Sequence, residues 1–218
     1  MKKRTLKQAE RELFKSWPRK PGAFVSDGVV DEQVFLKSKL KIGFILKEAN
    51  SDESFSLTED FLVHGGRSAS WNNITRWCIG IRNLPGITHY EDVRHISEDM
   101  RKEVLSSIVA MNLKKRPGGS STDMSKLEKD LTFDSEFLSR QFLLYGLQVA
   151  ICCGTFEVAH RTFAHCKDMN VQVSRRGFEY VEYDKGHFLI NYFHPQVRYP
   201  GNLLFYGIVD TVKELLRD

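Results

Sequence analysis

The sequence predicts an α/β protein in three layers, α/β/α, with a central, mainly parallel four-stranded sheet. Two observations carry this. Four near-continuous apolar, β-branched runs stand apart along the chain, at Lys41–Leu46, Ser107–Met111, Val149–Cys153 and His187–Phe193. Runs of this kind, not alternating with polar residues, suit strands covered on both faces. The stretches between them are long enough for crossover helices, and several carry apolar residues at helical spacing.

Among those helical stretches are Leu127–Leu147 before the third run, Phe156–Phe163 after it, and Leu203–Leu216 after the fourth. Residues 1–40 read as a helical prelude packed on the sheet. Gly65-Gly66-Arg67-Ser68-Ala69-Ser70 reads as a loop leading into Trp71, and Pro117–Asp123 as a second polar, glycine-rich loop. Val171–Tyr183 alternates as a short extra strand or hairpin would. With no repeat, low-complexity tract or linker, residues 1–218 are read as a single domain.

Length and composition set outer bounds. A chain of 218 residues suits one α/β domain with a full core, and 41% hydrophobic with 28% charged residues is ordinary for a globular protein. No apolar stretch approaches the ~18 residues needed to span a bilayer, and no apolar run follows the basic N-terminus as in a secretory signal. A cytoplasmic monomer with no membrane partner is therefore expected. The four cysteines form no C-x-x-C pair, so the expectation is buried, reduced thiols with no metal and no cofactor.

The net charge of +4 is modest, but the basic residues cluster. Lys2, Lys3, Arg4, Lys7, Arg11, Lys15, Arg19 and Lys20 crowd the first twenty positions, and Lys114-Lys115-Arg116 precedes Pro117. Such groups can meet phosphates or form solvated helix faces, and charge alone does not choose between these.

Ligands of open parallel sheets bind beyond the carboxyl ends of the strands. The residues there are Lys47-Glu48-Ala49-Asn50-Ser51-Asp52, Asn112-Leu113-Lys114-Lys115-Arg116-Pro117, Gly154-Thr155, and His194-Pro195-Gln196-Val197-Arg198-Tyr199-Pro200. Carboxylates, asparagines, a histidine and several cations thus leave one edge of a sheet whose strands are nearly free of polar residues.

This set, in this order, resembles the uracil-DNA glycosylase superfamily over about Lys41 to Leu216. Lys47–Ser51 is similar to that family's G-E-A-P-G form of the water-activating motif. Asn112–Pro117 is similar to its N-x-x-K-x-R-P run, Gly154 to the glycine that opens its third motif, and His194-Pro195-Gln196 to its H-P-S motif. The resemblance implies a base flipped from DNA, a donor at His194 for the departing base, and Asn112 as reader of the base edge. It implies water placement by Glu48, Asn50 or Asp52, although Asp52 also suits a helix cap. Ala49 and Ser51 would border the base, and Phe55 or Trp71 would stack on it. Lys114, Lys115, Arg116, Arg67, Gly154, Thr155, Gln196, Arg198 and Tyr199 would meet the DNA, with Arg198 and Tyr199 forming a proline-flanked wedge.

The chain departs from the family in three places. The glycine and proline of the first motif are absent, and Ala49 stands at its aspartate position. The iron–sulfur cysteines of the nearest branch are missing. No aromatic stands where the strict uracil enzymes exclude C5 substituents. The expected function is a monofunctional DNA glycosylase leaving an abasic site. Its substrate would be uracil or a modified pyrimidine such as glucosylated hydroxymethylcytosine of phage DNA, the latter implying antiviral defence. The alternative is an inactive DNA reader or inhibitor of the same fold, which Ala49 would favour. A small-molecule enzyme of the nucleoside-hydrolase kind would leave the basic clusters and Arg198 without a task.

Overall fold

The computed structural model describes residues 4–17, 23–51, 53–118 and 124–217. In chain order the elements are α1 (Leu6–Ser16), β1 (Val25–Ser26), β2 (Gly28–Val29), α2 (Glu32–Lys37), β3 (Ile42–Leu46), β4 (Phe55–Ser56), α3 (Leu57–His64), α4 (Ser68–Arg82), α5 (Glu98–Leu105), β5 (Val109–Asn112), α6 (Met124–Leu144), β6 (Val149–Cys153), α7 (Phe156–Thr162), β7 (Gln172–Val173), β8 (Glu179–Asp184), β9 (His187–Tyr192) and α8 (Gly201–Leu215).

Among the described residues the main sheet has seven strands rather than four, in the order β2-β5-β3-β6-β9-β8-β7. Its four central strands are the four apolar runs: β3 is parallel to both β5 and β6, and β6 is parallel to β9. Antiparallel strands are added outside them, β2 on β5 at one edge and the β8–β7 pair on β9 at the other. The hairpin read at Val171–Tyr183 is therefore the β7–β8 pair. The 1–40 region is not wholly helical, because Val25–Ser26 and Gly28–Val29 pair as strands and β2 becomes a sheet edge. Two-residue strands give no periodicity to read, so their pairing comes from the neighbour rather than from their own sequence.

Alternation along the strands divides the core into two layers. Ile42, Phe44 and Leu46 of β3, with Ile151 and Ile190, pack against Phe61, Trp71, Trp77, Phe205 and Ile208 of α3, α4 and α8. Ile45, Met111, Cys152 and Leu189 face the other way, onto Phe14, Phe35 and Phe142 of α1, α2 and α6 and onto Phe163 just after α7. All four cysteines are buried and unpaired. No helix among the described residues is long and apolar enough to cross a membrane.

Two details aim α4 at the carboxyl edge. Helix α3 ends on Gly65 at φ 64°, whose N–H donates to Phe61 O at 2.9 Å, and Gly66 repeats the left-handed turn at φ 66°. A Cβ on Gly66 would lie 2.5 Å from Trp71 Cδ1, so glycine is what lets the indole close over this turn.

Candidate active site

A cavity of about 380 Å³ opens beyond the carboxyl ends of β3, β5 and β9, within the range of small-ligand sites. Its wall begins where β3 stops. The β3–β5 ladder continues past both strands, with Leu113 N–H donating to Leu46 O and Lys114 N–H to Lys47 O, each at 2.9 Å. Asn50 then bridges Gly118, whose N–H donates to Ala49 O at 2.9 Å. The segment 47–50 is thereby zipped to 113–118. Glu48, its side chain 5% exposed, is ion-paired with Lys114. The carboxylate lies over Gly118, where an added Cβ would fall 1.9 Å from Oε2. A side chain at this position would displace the Glu48 carboxylate.

Asn112 ends β5 and is 2% exposed. Its side-chain Nδ2 is buried and donates to no atom among the described residues. A buried amide group without an acceptor costs on the order of 1–3 kcal/mol, a cost that a ligand oxygen would remove. Asn112 borders the cavity, so an acceptor entering there would meet it.

His194 follows β9 and is half-buried. Its loop is held by Asn73 Nδ2 donating to Pro195 O and by Gln196 Nε2 donating to Ser70 Oγ, both at 2.7 Å. The Gln196 N–H donates to His194 Nδ1 at 3.2 Å, which assigns the neutral ring's proton to Nε2. Burial, and then the nearby Lys47 ammonium, push the imidazole pKa below its usual range, so the neutral Nε2–H form persists.

Of the residues singled out in the sequence, Glu48, Ala49, Asn50, Ser51, Phe55, Arg67, Trp71, Asn112, His194 and Gln196 line this one cavity. Ser51 is partly spent on its own turn, its hydroxyl accepting from Glu53 N–H at 3.1 Å and donating to Glu53 O at 3.0 Å. Trp71 is 7% exposed and packs edge-on against Phe61, with centroids 4.2 Å apart. That leaves half-buried Phe55, paired through β4 to β1, the freer aromatic. Asp52 lies outside the described residues, as do Lys2, Lys3, Arg19 and Lys20.

Several candidates for DNA contact are placed otherwise. Lys115 is 3% exposed and bonded to Asp27, so it is an internal ion pair rather than a surface cation. Thr155 is 2% exposed and its hydroxyl donates to Ile45 O at 2.8 Å, tying β6 to β3 instead of facing a phosphate. Lys114 is turned to Glu48. Gly154, at φ 66°, is exposed beside the His194 Cβ, while Arg198 and Tyr199 are exposed on the loop and Arg116 is half-buried. Among the described residues that line the cavity, none of these seven appears.

The cavity also takes Leu46, Lys47, Leu57, Asp60 and Ser70, to which the sequence assigns no role in the site. Lys47 carried a signal, being first after a strand. Asp60 sits in the first turn of α3, where a carboxylate reads as a helix-end preference, so its sequence position gives no sign that it also borders the cavity. No protein-family model matches the chain, and no curated protein matches it at a significant level.

Proposed function

We propose that this chain is a monofunctional DNA glycosylase that hydrolyses the bond between a flipped pyrimidine and its sugar, in the manner of the uracil-DNA glycosylase superfamily it resembles. The observation that carries this is the pairing, around one cavity, of a buried carboxamide lacking an acceptor among the described residues with a neutral imidazole whose proton is on Nε2.

Glycosidic cleavage builds positive charge on the sugar and negative charge on the departing base. The Asn112 carboxamide both donates and accepts, so it can pair with the hydrogen-bonding edge of a pyrimidine. Phe55 is the stacking face. His194 Nε2–H donates to the base oxygen on which charge collects; a neutral donor suits this because no proton need be transferred. As the C1′–N1 bond breaks, its electron pair leaves with the base. Water held at the Glu48 carboxylate adds to C1′, and its proton is released to the base or solvent. Arg67, Arg198 and Arg116 are the candidate phosphate contacts.

Asn50 and Ser51 line the cavity at the motif positions where the strict uracil enzymes carry an aromatic, which supports substrates with a C5 substituent as well as uracil. A second reading, a DNA reader without turnover, is favoured by one observation: Glu48 is engaged by Lys114, and the next residue is Ala49. Abasic-site formation separates these readings. The substrates are oligonucleotides with uracil, cytosine or thymine and phage DNA with glucosylated hydroxymethylcytosine, tested beside His194→Ala. Excision is expected from uracil or from the phage DNA, falling about 10²- to 10³-fold in the variant at unchanged melting temperature. Binding without abasic sites in any of them leaves the reader.

A further inference from the structure

The backbone of Asn112 is held from behind by a single buried ion pair. At the edge of the sheet, β2 pairs with β5 only as far as Gly28 opposite Ala110. Since Leu113 N–H points to β3, the N–H and C=O of Asn112 point to the other side, where β2 has already turned away. Asp27 stands in for the missing strand. Its Oδ2 accepts from Asn112 N–H at 2.7 Å. Lys115 Nζ donates to Asn112 O at 2.8 Å and to both Asp27 oxygens, at 2.7 and 2.8 Å. Gln141 Nε2 completes the carboxylate at 2.8 Å. Both members of the pair are almost wholly buried, and the ammonium lies over the rings of Phe14 and Trp17, 6.0 and 5.6 Å from their centroids.

The geometry points to Asp27 and Lys115 as positioning residues for Asn112: together they fix both its backbone groups, and so the direction in which its carboxamide enters the cavity. This rests on the reading of Asn112 as the group that meets the base. A buried pair exacts a desolvation cost that apolar residues would avoid, and fixing one functional orientation is what such a cost can secure. Neither residue touches the cavity; each acts through Asn112.

The test uses the full-length chain and a double substitution, Asp27→Asn with Lys115→Met, which removes both charges together. Single-turnover excision of uracil from an oligonucleotide is expected to slow about 10- to 100-fold, with oligonucleotide affinity unchanged. In an Asn112→Ala background the same two changes should alter the rate by no more than about twofold, because their effect runs through the missing carboxamide. An equal factor in both backgrounds means a merely structural role and overturns the proposal.

A second readout does not need turnover. The side-chain NH₂ signals of Asn112, identified by their loss in Asn112→Ala, are expected to shift and broaden in the double variant. They should stay in place in Gln141→Leu, which spares both contacts to Asn112. Unmoved signals in the double variant, or an equal shift in Gln141→Leu, overturn the proposal. If the wild-type chain excises no base, the glycosylase reading fails while the amide signals still decide the positioning. If the double variant does not fold, Lys115→Arg keeps the charge but displaces the donor from Asn112 O, and the same shift is expected of it.

Discussion

On its two sides, Asn112 meets polar groups treated in opposite ways. Behind it, Asp27 receives four hydrogen bonds from Asn112, Lys115 and Gln141, and neighbouring Glu10 accepts from Val29 N–H at 2.7 Å and pairs with Lys7. Burial pushes the Glu10 carboxyl up, with Lys7 and the Val29 N–H opposing it. In front, the Asn112 amide faces the cavity with no acceptor among the described residues, and the His194 Nε2–H is fixed as a donor at its border. A network saturated in its charges by its own chain, with only Gln141 Oε1 lacking a donor among the described residues of that network, stabilises one structure. Donors left open toward a cavity are prepared for something that arrives. The difference separates cations that look alike in sequence, since Lys115 belongs to the saturated side and Lys114 pairs with Glu48 of the cavity wall.

The largest effect should come from breaking the saturated side. Lys115→Met alone leaves Asp27 charged and buried without its partner, and should cost about 3–5 kcal/mol in urea denaturation. A loss under about 1 kcal/mol, the scale of a surface pair, would erase the distinction between the two sides.

A smaller effect, on the cavity side, follows from the depressed pKa of His194. Below about pH 6.5 the unfolded chain binds a proton there that the folded chain still refuses. The stability contributed by this site is thus present above that pH and is lost as pH falls through the folded value. His194→Gln should reduce the loss of stability between neutral and mildly acidic pH, and the excision rate should hold to a lower pH than an ordinary imidazole would allow. An unchanged acid loss in the variant would mean that burial does not govern this ring.

The smallest effect belongs to the rim. Arg67→Ala and Arg198→Ala should each lower the slope of log affinity against log salt by about 1 without altering the melting temperature. Unaltered slopes would remove these arginines from the DNA-binding surface.

The sequence by itself determined the layered α/β arrangement. A buried parallel strand must be apolar on both faces, so β3, β5, β6 and β9 announce themselves as uninterrupted runs. It also located Glu48, Asn112 and His194, because polar residues directly after such runs are carried to one edge of the sheet. The edge strand β2 was not legible as a strand on its own, being two residues long and defined by the partner that accepts it. Nor could the chain state what Lys114 and Lys115 do. They are adjacent and identical, and an extended backbone turns successive side chains to opposite sides. One reaches Glu48 and the other Asp27, 66 and 88 residues away in sequence. Whether a lysine meets solvent, a carboxylate or an aromatic face depends on which remote segments close around it. Desolvation makes that choice energetically decisive, and only the tertiary structure settles it.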